Sequence, residues 1–591
     1  MAGNNKHFLN DSSTLVIDSL EGLCAMNPHL SIDRSNKVVH VTAQDRSHVA
    51  LLCGGGSGHE PAHAGFVGKG MLTAAVCGNI FASPNASQVR RGIDLVDNEQ
   101  GTLIVVKNYT GDVLNFGLSK EQYAALHPDK ATRLKFVIVG DDVAVGKTQG
   151  DIVGRRGLAG TCLVYKIAGA LASTGASLDD VYSVAQWVAS RIVSIGVGSD
   201  HCHVPGTAAT ESHLKADEIE IGMGIHNESG HKRLSPAPPL KELIPNLLEL
   251  LTSTTDSERS FVPFQGKGDR VVLLVNNLGG LSELELGGVV NQARVDLEGK
   301  GIKIERVLAG TFMTSLNMPG FSITLLLLPS SNENAGPSAE HILDLLDADT
   351  TAPGWRWSSK SAPSVREAVQ SPTTAKGSVG SRKIISSSND KAFTEAITRA
   401  CKNLIAAEPE ITRMDTIAGD GDCGLTLKSG ASGVLQHLES GKITGKDVVG
   451  ATIDIARVAE EHMGGTSGAL YSIFFSALAQ GIEAAPAGDE KIMWSSALQY
   501  ALEKLYTYTR ARRPSRTLVD PLAAFVEKIQ EKQENSFALS VKAAQSAAEG
   551  TRDLAAKAGR SAYVGVESLR DERVADPGAW GVKVILEGLL G

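Results

Sequence analysis

Excess positive charge, long apolar runs and paired cysteines are all missing from this chain, and each absence removes a class of protein. Its 57 lysines and arginines are outnumbered by 66 aspartates and glutamates, a formal net charge of −9, so it carries no electrostatic footprint for nucleic acid. An anionic ligand would need locally placed cations. No apolar run approaches the roughly 20 residues of a membrane span, and the opening Met1-Ala2-Gly3-Asn4-Asn5-Lys6-His7 lacks the apolar core of a secretion signal. We therefore expect a soluble, cytoplasmic chain with no membrane partner. The seven cysteines (24, 53, 77, 162, 202, 401 and 423) are scattered, odd in number and without a Cys-x-x-Cys pair, which argues against a disulfide framework or zinc cluster and for a reducing compartment. Hydrophobic residues are plentiful instead, at 42% of 591 residues, so disordered and fibrous classes are excluded.

One stretch of linker composition divides the chain. Residues 352–383 mix Pro, Ser, Gly, Thr and Lys with little periodicity, and we expect Trp355 and Trp357 to pin this segment to a domain surface. Before it, residues 1–351 alternate short β-rich runs (48–53, 102–107, 135–140, 271–276, 323–329) with helical stretches (160–171, 178–195). That pattern predicts an α/β region with mixed or parallel sheets, in two subdomains split near residue 200. After it, residues 384–591 read as all-α, with segments 391–406, 446–462, 491–508, 519–533 and 537–558 rich in Ala, Leu, Glu and Lys at helical spacing. No repeat of solenoid length is present.

The most informative stretch is Asp415-Thr416-Ile417-Ala418-Gly419-Asp420-Gly421-Asp422-Cys423-Gly424. At about 100° per residue, a continuous helix would put Asp415 and Asp422 on one face and Asp420 far around the side. The three carboxylates converge only if the backbone turns sharply, and Gly419 and Gly421 permit this because glycine tolerates positive φ. Converged carboxylates repel one another unless a hard cation sits between them, and Mg²⁺ suits a site of carboxylates, waters and phosphate oxygens. An acidic surface turn and a calcium loop are the competing readings. The calcium loop is the weaker, because the twelfth position counted from Asp415 is Thr426 where an EF-hand places Glu.

Three runs in the first half carry further chemistry. Gly54-Gly55-Gly56-Ser57-Gly58-His59-Glu60-Pro61 follows a strand and forms a loop that can aim amide N–H groups at a ligand, though its spacing is not a dinucleotide fingerprint. Lys107-Asn108-Tyr109-Thr110-Gly111-Asp112 places an amine and a carboxylate at a second strand end, the edge where open α/β sheets bind ligands. An ordinary turn with solvated charges is the alternative. Glu218 to Ile221 alternate as a strand, and Gly222-Met223-Gly224-Ile225-His226 then presents a histidine; most lone histidines are structural. His201-Cys202-His203 looks like a metal cluster, but alternate strand side chains point to opposite faces, so a structural use is expected.

Together these runs resemble the ATP-dependent dihydroxyacetone (glycerone) kinases. The likeness extends to Val275-Asn276-Asn277-Leu278-Gly279-Gly280, Gly310 to Leu316, Gly464-Gly465-Thr466-Ser467-Gly468-Ala469 and Ala575-Asp576-Pro577-Gly578-Ala579, covering essentially the whole chain in the same order. The resemblance implies a phosphotransferase whose substrates are dihydroxyacetone and D-glyceraldehyde, with ATP and Mg²⁺ as cofactors, working as a homodimer. It implies that His226 forms a covalent hemiaminal with the substrate ketone. Asp112 is then the general base on the attacking hydroxyl, His59 and Lys107 orient substrate and stabilise charge, and Gly56, Ser57 and Gly58 line the pocket. Glycerol, with no carbonyl, would escape capture.

For residues 384–591 the resemblance implies a barrel of antiparallel helices that holds Mg-ATP. Asp415, Asp420 and Asp422 would bind metal; Asp422, Cys423, Gly424, Gly465, Thr466, Ser467, Arg516, Thr517, Asp576, Pro577 and Gly578 would surround the nucleotide. No Walker A run is present, so a P-loop fold is not expected. Some relatives also split FAD to a cyclic FMN product, and others are non-catalytic dihydroxyacetone-binding regulators; both are alternatives to kinase activity.

Overall fold

The computed structural model of the protein describes residues 5–9, 11–330, 333, 336–365, 382–486, 488–531, 533–558 and 572–591. Two compact units divide the chain, Met1–Glu367 and Ala368–Gly591. Of the expected linker, residues 366–381 lie outside the described residues. Trp355 packs edge-on against Phe66 and Phe312 and so anchors the segment leading to them. Trp357 does not share this role, being 87% exposed.

The first unit contains two six-stranded sheets. Strands β1 (Leu30–Asp33), β2 (Val38–Val41), β3 (Ala50–Ser57), β4 (Ala74–Ile80), β5 (Thr102–Lys107) and β6 (Leu134–Val139) form one, in the order β1-β2-β4-β3-β5-β6. The β4-β3-β5-β6 run is parallel, and β1 and β2 add antiparallel strands at one edge. Strands β7 (Ile192–Gly198), β8 (Ile219–Ile221), β9 (Lys232–Leu234), β10 (Arg270–Asn277), β11 (Lys303–Gly310) and β12 (Gly320–Leu327) form the other, in the order β11-β10-β12-β7-β8-β9. Both sheets are mixed, since β10 and β11 are parallel and the remaining pairs of the second sheet antiparallel. Helix Gly160–Ala172, in which every residue is buried, packs against β3, β5, β7 and β12 and so joins the two sheets in one hydrophobic core. A helix apolar on all sides must be enclosed in this way. The run 178–195 is not one helix: Leu178–Arg191 is helical and Ile192 begins β7, where β-branched residues take over.

A second difference lies in the glycine-rich run. Gly54, Gly55 and Gly56 belong to β3 rather than to a loop after it. Gly54 and Gly56 are glycines because neighbouring backbone comes too close for a side chain: a Cβ on Gly54 would lie 2.2 Å from the Val76 carbonyl oxygen, and one on Gly56 2.8 Å from the Ala82 nitrogen. The turn itself begins at Gly58, with φ of +106°.

The second unit is helical throughout its described residues: Asp390–Ala406, Glu408–Ala418, Cys423–Glu439, Val448–Met463, Gly465–Ala484, Glu490–Tyr508, Val519–Ile529, Ser536–Gly550 and Pro577–Leu590. All of these except Glu408–Ala418 line a cavity of about 1030 Å³, with Phe393, Leu427, Val458, Phe474 and Leu522 among the lining residues, so they ring an interior as the staves of a barrel. Their apolar faces form a core of their own.

Gly54→Ala is expected to lower stability by about 1–3 kcal/mol through overpacking. Gly117→Ala, in helix Thr110–Leu126 with nothing near its Cβ position, is expected to be neutral or to stabilise by up to about 1 kcal/mol. Denaturant unfolding of the two variants compares them directly, and equal midpoints would contradict the close approach of β3 and β4.

Candidate active site

β3 and β5 are parallel neighbours, so their carboxyl ends open at one edge of the first sheet, the usual ligand edge of such sheets. Ser57 ends β3 and His59 follows it; Lys107 ends β5, and Asp112 stands in the first turn of helix Thr110–Leu126. His59, Lys107 and Asp112 are all buried. Burial lowers the Lys107 ammonium from its ordinary range, with Asp112 opposing that trend. Burial likewise raises the Asp112 carboxyl, with Lys107 opposing. An acid held above the usual carboxylate range beside a cation suits a base that must take a proton and release it near neutrality. Asp112 Oδ1 has no partner among the described residues. The Ser57 hydroxyl is otherwise engaged, donating to the Gly78 carbonyl at 2.9 Å, and the Gly58 N–H donates to Glu60.

His226 comes from the second sheet of the same unit. It follows β8 through Gly222, whose φ is +80°, in a turn closed by the Gly224 N–H donating to the Glu228 carbonyl. Its Nε2 lies 3.0 Å from His59 Nε2, and Phe81, Tyr109 and His59 present their rings edge-on around it. The other nitrogen of each ring is committed. His59 Nδ1 is 2.8 Å from the Thr314 carbonyl, which can only accept, so Nδ1 carries hydrogen. His226 Nδ1 is 3.1 Å from Glu228 Oε1, and its backbone N–H donates to Oε2 at 2.9 Å. Burial alone would raise the Glu228 carboxyl, but these bonds and the imidazole hold it down to about 2. An ionised acceptor fixes the Nδ1–H form of His226 in turn. Two Nε2 lone pairs therefore face each other across the pocket.

Two backbone hydrogen bonds tie the sheets together at this point, from Thr314 N to the His59 carbonyl and from Leu316 N to the Gly58 carbonyl. His201, Cys202 and His203 form no such cluster: His201 stacks on His213, Cys202 meets the Ser315 hydroxyl, and His203 bonds His7.

In the second unit, helix Glu408–Ala418 stops, the chain turns through residues 419–422, and helix Cys423–Glu439 begins. One carboxylate oxygen from each of Asp415, Asp420 and Asp422 lies within 4.8 Å of the others, with Asp415 buried and the other two exposed. Only Gly421 is left-handed, at φ +83°. Gly419 is extended and is required for space instead, since a Cβ there would meet Asp415 Oδ1 at 2.4 Å. Asp415 Oδ2 accepts the Cys423 N–H, which aims its other oxygen at the cluster. Three hard oxygen donors of this kind fit Mg²⁺.

The remaining candidates of this unit divide into groups. Helix Gly465–Ala484 starts at Gly465, where Gly464 and Gly465 both have positive φ and Thr466 is exposed; such a terminus leaves amide donors for an anion. Asp576 caps helix Pro577–Leu590 by accepting the Ala579 N–H, and burial raises its carboxyl to about 6. Gly578 packs beside that carboxyl, and Thr517 N donates to Asp520. Arg516 is buried with φ of +61°, donates to the Val574 carbonyl and stands 4.0 Å from Asp576. Burial raises the Cys423 thiol to about 12.

Three participants have no assigned role in the sequence reading. Thr314 contributes only a carbonyl, which no side-chain pattern reveals. Tyr109, whose ring faces His226, sits inside the Lys107–Asp112 run. Glu228 stands two residues beyond His226, and that spacing was its available signal.

The chain matches the family model for the Dak1 domain over residues 21–354 and that for the DAK2 domain over residues 417–591. A dihydroxyacetone kinase of Pichia angusta is 43% identical, over 99% of this chain and 98% of that protein. The human triokinase/FMN cyclase is 38% identical, over 99% of each. Among solved structures, the dihydroxyacetone kinase from C. freundii in complex with AMP-PNP and Mg²⁺ aligns with a TM-score of 0.62 and 29% identity, over 99% of both chains.

Asp422→Asn is expected to weaken Mn²⁺ binding, read by electron paramagnetic resonance with Mn²⁺ standing in for Mg²⁺, by at least roughly ten-fold. Because Asp422 makes no side-chain cap to its helix, the melting temperature without metal is expected to hold. Unchanged Mn²⁺ affinity would remove Asp422 from the site.

Proposed function

The chain belongs to the dihydroxyacetone kinase family of phosphotransferases, carrying Dak1 and DAK2 domains in one polypeptide, and on that premise we propose that it transfers the γ-phosphoryl of ATP to dihydroxyacetone, and to D-glyceraldehyde, through a substrate held covalently on His226. The observation that carries this reading is the pair of facing Nε2 atoms beside Lys107 and Asp112. A hydrogen bond between those two nitrogens requires a proton beyond the ones on their Nδ1 atoms. Burial lowers His59 well below the usual imidazole range, which disfavours such a proton and leaves the facing Nε2 atoms as lone-pair donors.

Capture then balances. The His226 Nε2 lone pair bonds the ketone carbon, the carbonyl π pair moves to oxygen, and that oxygen takes a proton from solvent to become the hemiaminal hydroxyl. The substituted imidazole is left as a cation, with Glu228 as its counter-ion. Lys107 and His59 hold the captured triose, and Asp112 accepts the proton of the terminal hydroxyl as it attacks phosphorus. In the second unit, Asp415, Asp420 and Asp422 would hold Mg²⁺, which would offset the negative charge of the phosphates during transfer. Gly465, Thr466 and Ser467 receive phosphate oxygens at a helix start, and Arg516, Thr517, Asp576, Pro577 and Gly578 border the nucleotide. A cytoplasmic homodimer belongs to the same proposal; the seven cysteines are all free thiols, as a reducing compartment requires.

The relatives named triokinase/FMN cyclase favour one additional reaction, conversion of FAD to a cyclic FMN product at the same metal site. ATP consumption with dihydroxyacetone, glyceraldehyde and glycerol, alongside product analysis with FAD, separates these activities. Turnover with both trioses and none with glycerol is expected; equal turnover with glycerol would sink the covalent reading.

Two variants divide the labour between the units. His226→Ala is expected to abolish triose capture seen by crystallography, while Asp420→Ala is expected to abolish Mg-ATP use and leave capture intact. An adduct on another residue in His226→Ala, or lost capture in Asp420→Ala, would reverse the assignment. In the pH profile of kcat/KM for dihydroxyacetone, the acid limb is expected above the ordinary carboxylate range, because burial raises Asp112 and the base fails once protonated.

A further inference from the structure

Arg156 is a charged side chain with no role in the reaction above, yet it touches the turn that carries His226. Its side chain is 15% exposed and its partner Asp142 only 1%. Nε and Nη2 both lie 2.7 Å from Asp142 Oδ2, and Nη2 also donates to the Gly222 carbonyl at 2.7 Å. Asp142 is itself anchored where the two sheets approach. Its Oδ1 accepts the Ala144 N–H, its N–H donates to the Arg156 carbonyl, and it bridges to Ser194 of β7. On the opposite side, a Cβ on Gly224 would fall 2.5 Å from Arg156 Nη1 and 2.0 Å from Glu228 Oε2. The guanidinium and the carboxylate that holds His226 thus crowd one point, and only glycine leaves room for both.

We infer that Arg156 is a positioning residue for His226: its fork ties the Gly222–His226 turn to Asp142, and its charge stands beside Glu228 as the cation of an Asp142–Arg156–Glu228–His226 series. The inference rests on the reading of His226 as the carbonyl trap. The planar guanidinium keeps Nε on Asp142 while Nη2 reaches both Asp142 and the Gly222 carbonyl, a fixed arrangement that an ammonium on a flexible stem does not hold. The groups facing Glu228 are His226, Arg156, Lys107, Tyr109 and Cys202. Removing the Arg156 cation raises the Glu228 carboxyl, so the ionised form needed to balance the captured imidazolium is lost at a higher pH.

The test uses the full-length protein without nucleotide and dihydroxyacetone labelled with carbon-13 at its ketone carbon, titrated across pH by NMR. Wild type is expected to convert the ketone signal saturably to that of a tetrahedral carbon. Arg156→Met is expected to weaken this capture roughly ten- to hundred-fold and to move its acid limb to higher pH, with the KM for Mg-ATP unchanged. Arg156→Lys keeps the charge without the fork, so it is expected to weaken capture while retaining the wild-type limb. A role confined to fold stability would not separate the two variants in their pH limbs. Capture within about two-fold of wild type by either folded variant overturns the inference. A wild type that shows no tetrahedral carbon removes the trap itself, and the inference with it.

Discussion

The approach of His59 Nε2 to His226 Nε2 at 3.0 Å is the contact on which the rest of the first unit turns. Each ring arrives from a different sheet, and each has its Nδ1 hydrogen claimed from behind, His59 by the Thr314 carbonyl and His226 by Glu228. That arrangement leaves two acceptors opposed in a buried pocket, which is unfavourable without a proton or an electrophile between them. The surrounding fold holds them there. The Thr314 and Leu316 N–H groups grip the residues on either side of the Gly58–His59 bond, and helix Gly160–Ala172 locks the sheets that deliver both rings. A flexible site would rotate one imidazole and satisfy itself; a packed one cannot.

The second unit solves the opposite electrostatic problem. Its three carboxylates repel rather than compete for protons, and convergence depends on the interruption between helices Glu408–Ala418 and Cys423–Glu439. Asp415 is offset by the Cys423 N–H at the start of the following helix, where the backbone dipoles favour negative charge. Asp420 and Asp422 stay exposed, so hydration moderates their repulsion when no cation is bound. One unit thus holds a lone-pair donor in reserve, and the other holds negative charge in reserve.

Much of this was legible in the residues, for identifiable reasons. Strand Thr102–Lys107 is bounded by Gly101 and by a polar turn, and its β-branched run gives it away. Helices such as Asp390–Ala406 and Glu490–Tyr508 follow their Ala, Leu, Glu and Lys periodicity. Helix Cys423–Glu439 was hidden because Gly424, Gly430 and Gly433 weaken its propensity. Those glycines exist for tertiary reasons: Cβ atoms there would strike Thr412, Met463 and Val458 of adjoining helices. β3 was cut short in the sequence for the same reason, since its glycines are set by the approach of Val76 and Ala82 rather than by turn formation. The carbonyl of Thr314 and the fork of Arg156 act across more than sixty residues of chain, a distance over which local patterns carry no information.

The distribution of unsatisfied groups explains why such a site persists. His63 Nε2, Tyr109 OH and Asp112 Oδ1 are buried polar atoms without partners among the described residues, and all three belong to side chains around the Lys107–His226 pocket: Tyr109 faces His226, while His63 and Asp112 both approach Gly55. Each costs stability on the order of 1–3 kcal/mol, and apolar replacements would pack better. Their common location gathers unpaired buried polar atoms around one site, which suits a polar ligand. In the proposed reaction a triose would bring a carbonyl for the nitrogen lone pair and hydroxyls for the unpaired donors and acceptors, and so would satisfy what folding left open. Glycerol would bring the hydroxyls alone and leave the opposed imidazoles unresolved. On that proposal, discrimination between them would reside in the one atom that can be attacked, with the hydrogen-bonding groups orienting it.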